Sequence, residues 1–440
     1  MSAAQRLTAL IRTAVTTGLF AAMCNILTAQ QPQDGQPRAP RVADMLPQPT
    51  PDTTGDAWVD PQGQTDDNTP KRYDEPPPPP FDYWQPTWMP CQSLRVNRSL
   101  VLGHAYFGMD MMGWATKGVH VPALVTTGTA ASGGFLGFNG TSVLFGDETL
   151  HKDMRPGGQL RIGWWFDPNQ YSGIEWHYFE LDGQNIHFNT TSQANNGILA
   201  LPYFDTSVNG ERGYPLGFPG FFTGSGNITS NMQLTSTGIL YRKLFWASPT
   251  SRIDYLAGYR HVHLYDNLRI GDTVTDVNSG LVTTRVDTFR AINQFDGADL
   301  GIKSWWSPTG TLALTGTAKA AIGASNNTVL INGTHKFTAL PTAPGGVFAL
   351  PSNSGMHSQQ QFGFVYEVNG GIEWTFACQW KFNLGYTWFY WNQVARAPAQ
   401  LNRNIDEPQI FGNGGGNPTF TMHTTSFWAQ GINGGFTYQF

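Results

Sequence analysis

The last fifteen residues, Ser426 to Phe440, alternate with a period of two. One face carries Trp428, Gln430, Ile432, Gly434, Phe436, Tyr438 and Phe440; the other carries Phe427, Ala429, Gly431, Asn433, Gly435, Thr437 and Gln439. Such a stretch is extended, with an apolar aromatic side and a small polar side. A chain that ends on Phe440, with aromatics at alternate positions before it, fits the closing strand of an outer-membrane barrel, where lipid-facing and lumen-facing residues alternate. A strand of a soluble sandwich shares the period, so the choice rests on the remainder of the chain.

Ten segments carry a strand period: 104–114, 158–166, 172–181, 232–246, 251–270, 285–303, 310–322, 360–375, 379–391 and 424–440. The cleanest set Phe362, Phe364, Tyr366 and Val368 against Gln361, Gly363, Val365 and Glu367, then Trp380, Phe382, Leu384 and Tyr386 against Gln379, Lys381, Asn383 and Gly385. Segment 232–246 is less clean, because Leu240 and Leu244 share a face with Arg242. Links 167–171, 247–250, 304–309 and 376–378 read as short, and 115–157, 182–231, 271–284, 323–359 and 392–423 as long. Strict alternation of short and long links predicts an all-β, antiparallel, up-and-down transmembrane barrel of about ten strands (range about 8 to 12), with both termini in the periplasm. A sandwich has no reason to keep that order. Composition agrees: charged residues are 13% of the chain against about 25% in soluble domains, and aromatics also reach 13%.

Ahead of the strands, Arg6 and Arg12 precede an apolar run over 14–27, and Leu27-Thr28-Ala29 offers a small-residue cleavage site, so 1–29 reads as an export signal. Lipidation would use Cys24, but Met23 stands where a small residue is usual. Beyond it no run reaches about 18 apolar residues, which leaves strands as the means of crossing a membrane. Residues 30–93, with Pro76 to Pro80 in a row, read as a Pro-rich disordered periplasmic linker. Phe81, Trp84 and Trp88 after the proline run are a candidate recognition cluster. The barrel occupies 94–440.

With about ten strands the interior is little wider than that of eight-stranded barrels, which side chains can fill. Asp254, Arg260, Glu367, Asn369, Glu373 and Lys381 are the expected lumen-lining residues, and a crowded lumen predicts small conductance. In the hairpin at 376–378 both polar faces fall on odd numbers, so a three-residue turn would set Thr375 against Gln379 and Glu373 against Lys381. His261 and His263 lie two apart near Asp266, a spacing that could hold a metal, but no further ligands converge in the sequence. Asp254, Asp266, His261 and His357 are acid and base candidates without a nucleophile placed beside them. Gly224 to Gly226 and Gly414 to Gly416 read as loop glycines, not phosphate cradles. The three cysteines lack metal spacing, the formal charge is −5 with no basic cluster for nucleic acid, and no cofactor is expected.

The stretches Leu160 to Leu181 (LRIGWWFDPNQYSGIEWHYFEL), Arg252 to Ile270 (RIDYLAGYRHVHLYDNLRI), Asn293 to Ile302 (NQFDGADLGI), Phe348 to Gly355 (FALPSNSG) and Ser426 to Gly431 (SFWAQG) resemble beta-barrel porin family seven. The resemblance runs from about Val101 to Phe440. It implies a barrel of the bacterial outer membrane with a pore role, and it brings no catalytic residues. The expected partners are outer-membrane lipid and the barrel-assembly machinery, which would read the last strand through Phe436, Tyr438 and Phe440. A surface binding or adhesion barrel working through loops 115–157 and 182–231 is the main alternative, and a barrel hydrolase the other.

Overall fold

The computed structural model describes residues 104–440 apart from 196, 339 and 378. The export signal at 1–29, the Pro-rich segment at 30–93 with Phe81, Trp84 and Trp88, and residues 94–103 fall outside the described residues. Ten long strands form the wall: β1 (Ala105–Thr116), β2 (Arg155–Trp165), β3 (Ser172–Thr191), β4 (Phe222–Ala247), β5 (Ser251–Asp276), β6 (Val282–Trp306), β7 (Leu312–Phe337), β8 (Gly355–Ala377), β9 (Trp380–Ala395) and β10 (Thr424–Gln439). Each pairs antiparallel with its sequence neighbours, and β1 pairs with β10, so the sheet closes into a ten-stranded barrel without a free edge. Every periodic segment of the sequence is a wall strand.

Three expectations need correction. Link 271–284 is not long: β5 and β6 run on to Asp276 and from Val282, with five residues, 277–281, between them. Gly224 and Gly226 are not loop glycines but lie in β4, and a Cβ added at Gly224 would come 2.3 Å from the carbonyl oxygen of Thr273 and 2.4 Å from that of Leu216. Glycine there lets the loop strand Gly210–Gly217 press against the wall. The β8–β9 hairpin is also shifted: Ala377 pairs with Trp380, a bulge follows, and then Thr375 faces Lys381 and Glu373 faces Asn383. A two-residue turn alone would have flipped one strand; the extra residue at Phe376 restores the even sum and keeps polar faces together.

The middle strands outrun any membrane. A 26-residue strand such as β4, at about 3.3 Å per residue and tilted about 40°, climbs about 65 Å along the axis, whereas the apolar band of such barrels is about 25 Å tall. That band is visible on the outer wall as Tyr241, Tyr255, Leu300, Leu314, Val368, Trp388 and Ile432, all exposed. It lies toward the short-turn end, the periplasmic end in this class of barrel. Further up, outward positions become polar, as in Asn185, Asn231 and Arg269.

Inside, two apolar cores are stacked above a charged lower storey. The lower core crosses the barrel with inward side chains from every strand except β2, among them Trp114, Phe179, Phe295, Phe389 and Trp391. Phe179 and Phe389, four strands apart around the wall, meet edge to face at 5.7 Å, and Phe295 meets Trp391 at 6.2 Å. The upper core joins inward residues of the projecting strands, such as Ile228, Leu268, Ile270 and Phe289, to loop residues such as Leu199, Leu201, Phe348 and Leu350. There the outer loops build a five-stranded sheet of their own, in which Leu199–Asp205 pairs with Gly210–Gly217 and with Asn404–Ile405. The 396–423 loop is pinned at its base: Arg396 Nε donates to Asp266 at 2.6 Å, and Asn293 exchanges two hydrogen bonds with the Ala395 backbone.

Candidate functional site

The lower storey of the lumen holds the chemistry. Alternation turns one side chain in two inward, and near the short-turn end these are Lys, Arg, Asp and Glu where the outward ones are aromatic or aliphatic. Arg242 donates to Glu175 at 3.1 Å and to Asp254 at 2.7 Å, and Arg252 donates to the second oxygen of Asp254 at 2.8 Å. The Tyr106 hydroxyl donates to Glu175. Arg242 and Arg252 also both lie over the Trp165 ring, at 4.5 and 4.7 Å. Deeper in, the fully buried Arg260 bridges Asp299 at 2.9 Å and Glu367 at 2.8 Å, and Lys319 reaches the other oxygen of Glu367 at 2.8 Å.

Toward β8 and β9, Lys381 pairs with Glu373 at 2.9 Å, and Trp305 Nε1 donates to the same carboxylate at 3.1 Å. That contact is diagonal across the shifted hairpin rather than directly opposite. Asn369 donates to Thr387 Oγ1 at 2.8 Å and sits beside Asn433. Thus Asp254, Arg260, Glu367, Asn369, Glu373 and Lys381 all point into the barrel. All of these but Arg260 line a cavity of about 650 Å³ that runs from the short turns, near Pro168, Gln170, Gly310 and Gln379, up to His177, Lys319 and Thr387 below the apolar layer.

Sequence reasoning missed Arg242, Glu175, Lys303, Lys319 and the Asp110–Arg161 pair, whose separation is 2.9 Å. Their signal was parity alone. Arg242 lies on the same inward face as the buried Leu240, so the mixed face that made 232–246 look irregular is a real lumen face.

The family model described as "Putative beta barrel porin-7" matches residues 106–440. The chain belongs to that family. A closed barrel of a porin family, with an apolar outer belt, is a protein of the bacterial outer membrane. Among solved structures it is similar to the outer membrane protease OmpT from Escherichia coli, at 11% identity over 77% of this chain and 97% of that one, with a TM-score of 0.40. It is also similar to the P. putida toluene transporter TodX, at 9% identity over 76% of this chain and 89% of that one, with a TM-score of 0.23. A Pseudomonas aeruginosa FadL homologue matches at 8% identity over 76% and 90%, with a TM-score of 0.21. Likenesses this remote say nothing of what this barrel does. No curated protein matches the chain.

In this porin-7 barrel the acid and base candidates do not meet. His261 points outward, with Nδ1 2.8 Å from Asp296, whose carboxylate also accepts from Tyr259. Asp266 points inward to Arg396, on the opposite face of β5. His357 stacks on Phe420 at 3.7 Å. Asp254 is held by two arginines. Among the described residues no three His, Cys, Asp or Glu side chains gather as a metal site would require.

Proposed function

We propose that this chain is a porin-like or structural outer-membrane barrel with a narrow, largely side-chain-filled lumen, acting without catalysis. The observation that carries the reading is the aromatic layer across the barrel, where rings from β3 and β9 touch. Water and ions have no room where side chains pack at interior density. The ion pairs beneath it are matched, acid to base, rather than set beside a nucleophile. In this reading residues 1–29 export the chain, the outer belt contacts lipid, and Phe436, Tyr438 and Phe440 offer the last strand to the barrel-assembly machinery.

Planar-bilayer recording of the purified full chain tests it. Small or absent current is expected, and a large steady conductance would refute the filled lumen. A second reading, surface binding or adhesion through the outer loops, is favoured by one feature. Those loops pack onto a core shared with the upper ends of the wall strands instead of hanging loose, which is how a preorganised binding face is built. Cell adhesion lost on shortening the 206–209 and 411–416 tips, with the barrel still folded, would support it.

A further inference from the structure

We propose that the cavity at the short-turn end is a binding site for a small organic anion, entered and left from the periplasm. The proposal rests on the closed-lumen reading only for its sidedness. Its volume, about 650 Å³, is that of a small-molecule site, and its wall is lopsided in which charges are exposed. Six Lys or Arg side chains line it against five side-chain carboxylates, with Phe440 and its terminal carboxylate on the same wall. In three of the pairs that border the open space the cation is clearly the more exposed member, while at the inner end Lys319 and Glu367 are about equally buried. Lys303 is 24% exposed and Glu175 8%, Lys381 28% and Glu373 17%, Arg161 23% and Asp110 1%. A solute entering the cavity therefore meets ammonium and guanidinium groups, with the carboxylates set behind them.

Donor capacity is also to spare. Lys303 lies 3.5 Å from Glu175, the longest ion pair among the described residues, and that oxygen already accepts from Arg242 and Tyr106. An ammonium has three N–H donors, so Lys303 can turn to a ligand without leaving Glu175 bare. Nε of Arg161 is buried without a partner, and so are both ring nitrogens of His177 at the inner end, a residue only 2% exposed. The unpartnered Oδ1 of Asn383 is the counterpart acceptor. Trp165, Trp305 and Tyr106 border the same space and supply flat apolar wall. Cationic donors beside aromatic surface suit a carboxylate on a small, partly apolar body. The aromatic layer makes the site blind.

Titration calorimetry of the full chain in detergent, with benzoate as probe, tests the proposal. Benzylamine serves as the cationic control and inorganic phosphate as the inorganic one. One equivalent of benzoate should bind, benzylamine should not, and Lys303→Gln should weaken benzoate at least tenfold. Because Glu175 keeps Arg242 in that variant, the barrel should still fold; if it does not, Lys381→Gln, which leaves Trp305 on Glu373, carries the same expectation. Lys336→Gln, on the outer wall, should change nothing. Absence of benzoate binding, equal binding of benzylamine, phosphate bound in place of benzoate, or indifference to both lysine variants would each overturn the site. Benzoate binding together with a large steady bilayer conductance would keep the anion site and remove only its closed end.

Discussion

Along β5 every even-numbered side chain from Asp254 to Asp272 except Gly258 is buried in the barrel, yet what it meets changes halfway up. In the lower half these are Asp254, Leu256 and Arg260, with Tyr255 and Tyr259 exposed outside; in the upper half they are Val262, Leu264, Leu268 and Ile270, interrupted by Asp266 and Asp272, with Arg269 exposed outside. The lower half is a membrane protein, apolar outward. The upper half is built like a soluble protein, mainly apolar inward, with Asp266 paired to Arg396. One unbroken strand serves both because the pleat fixes only which residues share a face, while the surroundings decide what that face must be. Polarity inside therefore relies on ion pairs below and on packing above.

The largest effect expected from this contrast is at Arg260. Arg260→Ala leaves Asp299 buried without its cation, which should cost about 3–5 kcal/mol, read as a lower urea midpoint for the folded, heat-modifiable species. Replacing both partners, Arg260→Met with Asp299→Leu, should recover most of that loss, since Glu367 keeps Lys319. Equal destabilisation by the single and double variants would mean that the pair is not what holds the lower half.

Phe389→Ala comes next. Removing a fully buried ring from the aromatic layer should cost about 3 kcal/mol and raise the bilayer current above that of the unaltered chain. An unchanged current would show that the seal lies elsewhere.

A pH effect should be confined to the upper half. His151, in the loop above β2, is buried against Ser230 with Arg155 and Arg396 nearby and Asp266 opposing them. Burial, chiefly, holds its pKa down to about 4, against about 6.5 when free. A base depressed in this way leaves the fold at full stability above about 6.5 and destabilises it progressively as pH falls toward 4. The loss should reach about 3 kcal/mol near pH 4 and appear as protease cutting of the outer loops. His151→Gln should flatten that dependence.

The smallest effect belongs to Glu373 and Lys381. A double-mutant cycle to Ala should give a coupling of about 0.5–1 kcal/mol, because both groups are partly exposed to the cavity. A coupling near zero would dissolve the diagonal contact.

How much of this was legible follows from the same contrast. The ten strands and the inward direction of Glu367, Glu373, Lys381 and Arg260 could be read because lower-half faces differ sharply in polarity. The upward extensions could not. At 222–231 and 271–276 the outward residues are Asn, Ser, Thr and Gly, and the inward ones that pack do so against loops far away in sequence, so β4 seemed to start late and β5 to stop early. The bulge at Phe376 escaped because one inserted residue leaves no mark on either flanking alternation. Lys303 was missed for a different reason: its partner Glu175 lies three strands away around the wall.

The long closed wall also has a mechanical consequence. Interstrand hydrogen bonds lie across the strands, so a pull on the outer cap, resisted at the lipid, loads the β4–β5, β5–β6 and β6–β7 rows in shear, many bonds at once. There is no edge from which to peel them. Whatever the cap touches, it touches from the tip of a stiff post standing about 40 Å clear of the membrane, and force applied there reaches the bilayer almost undiminished.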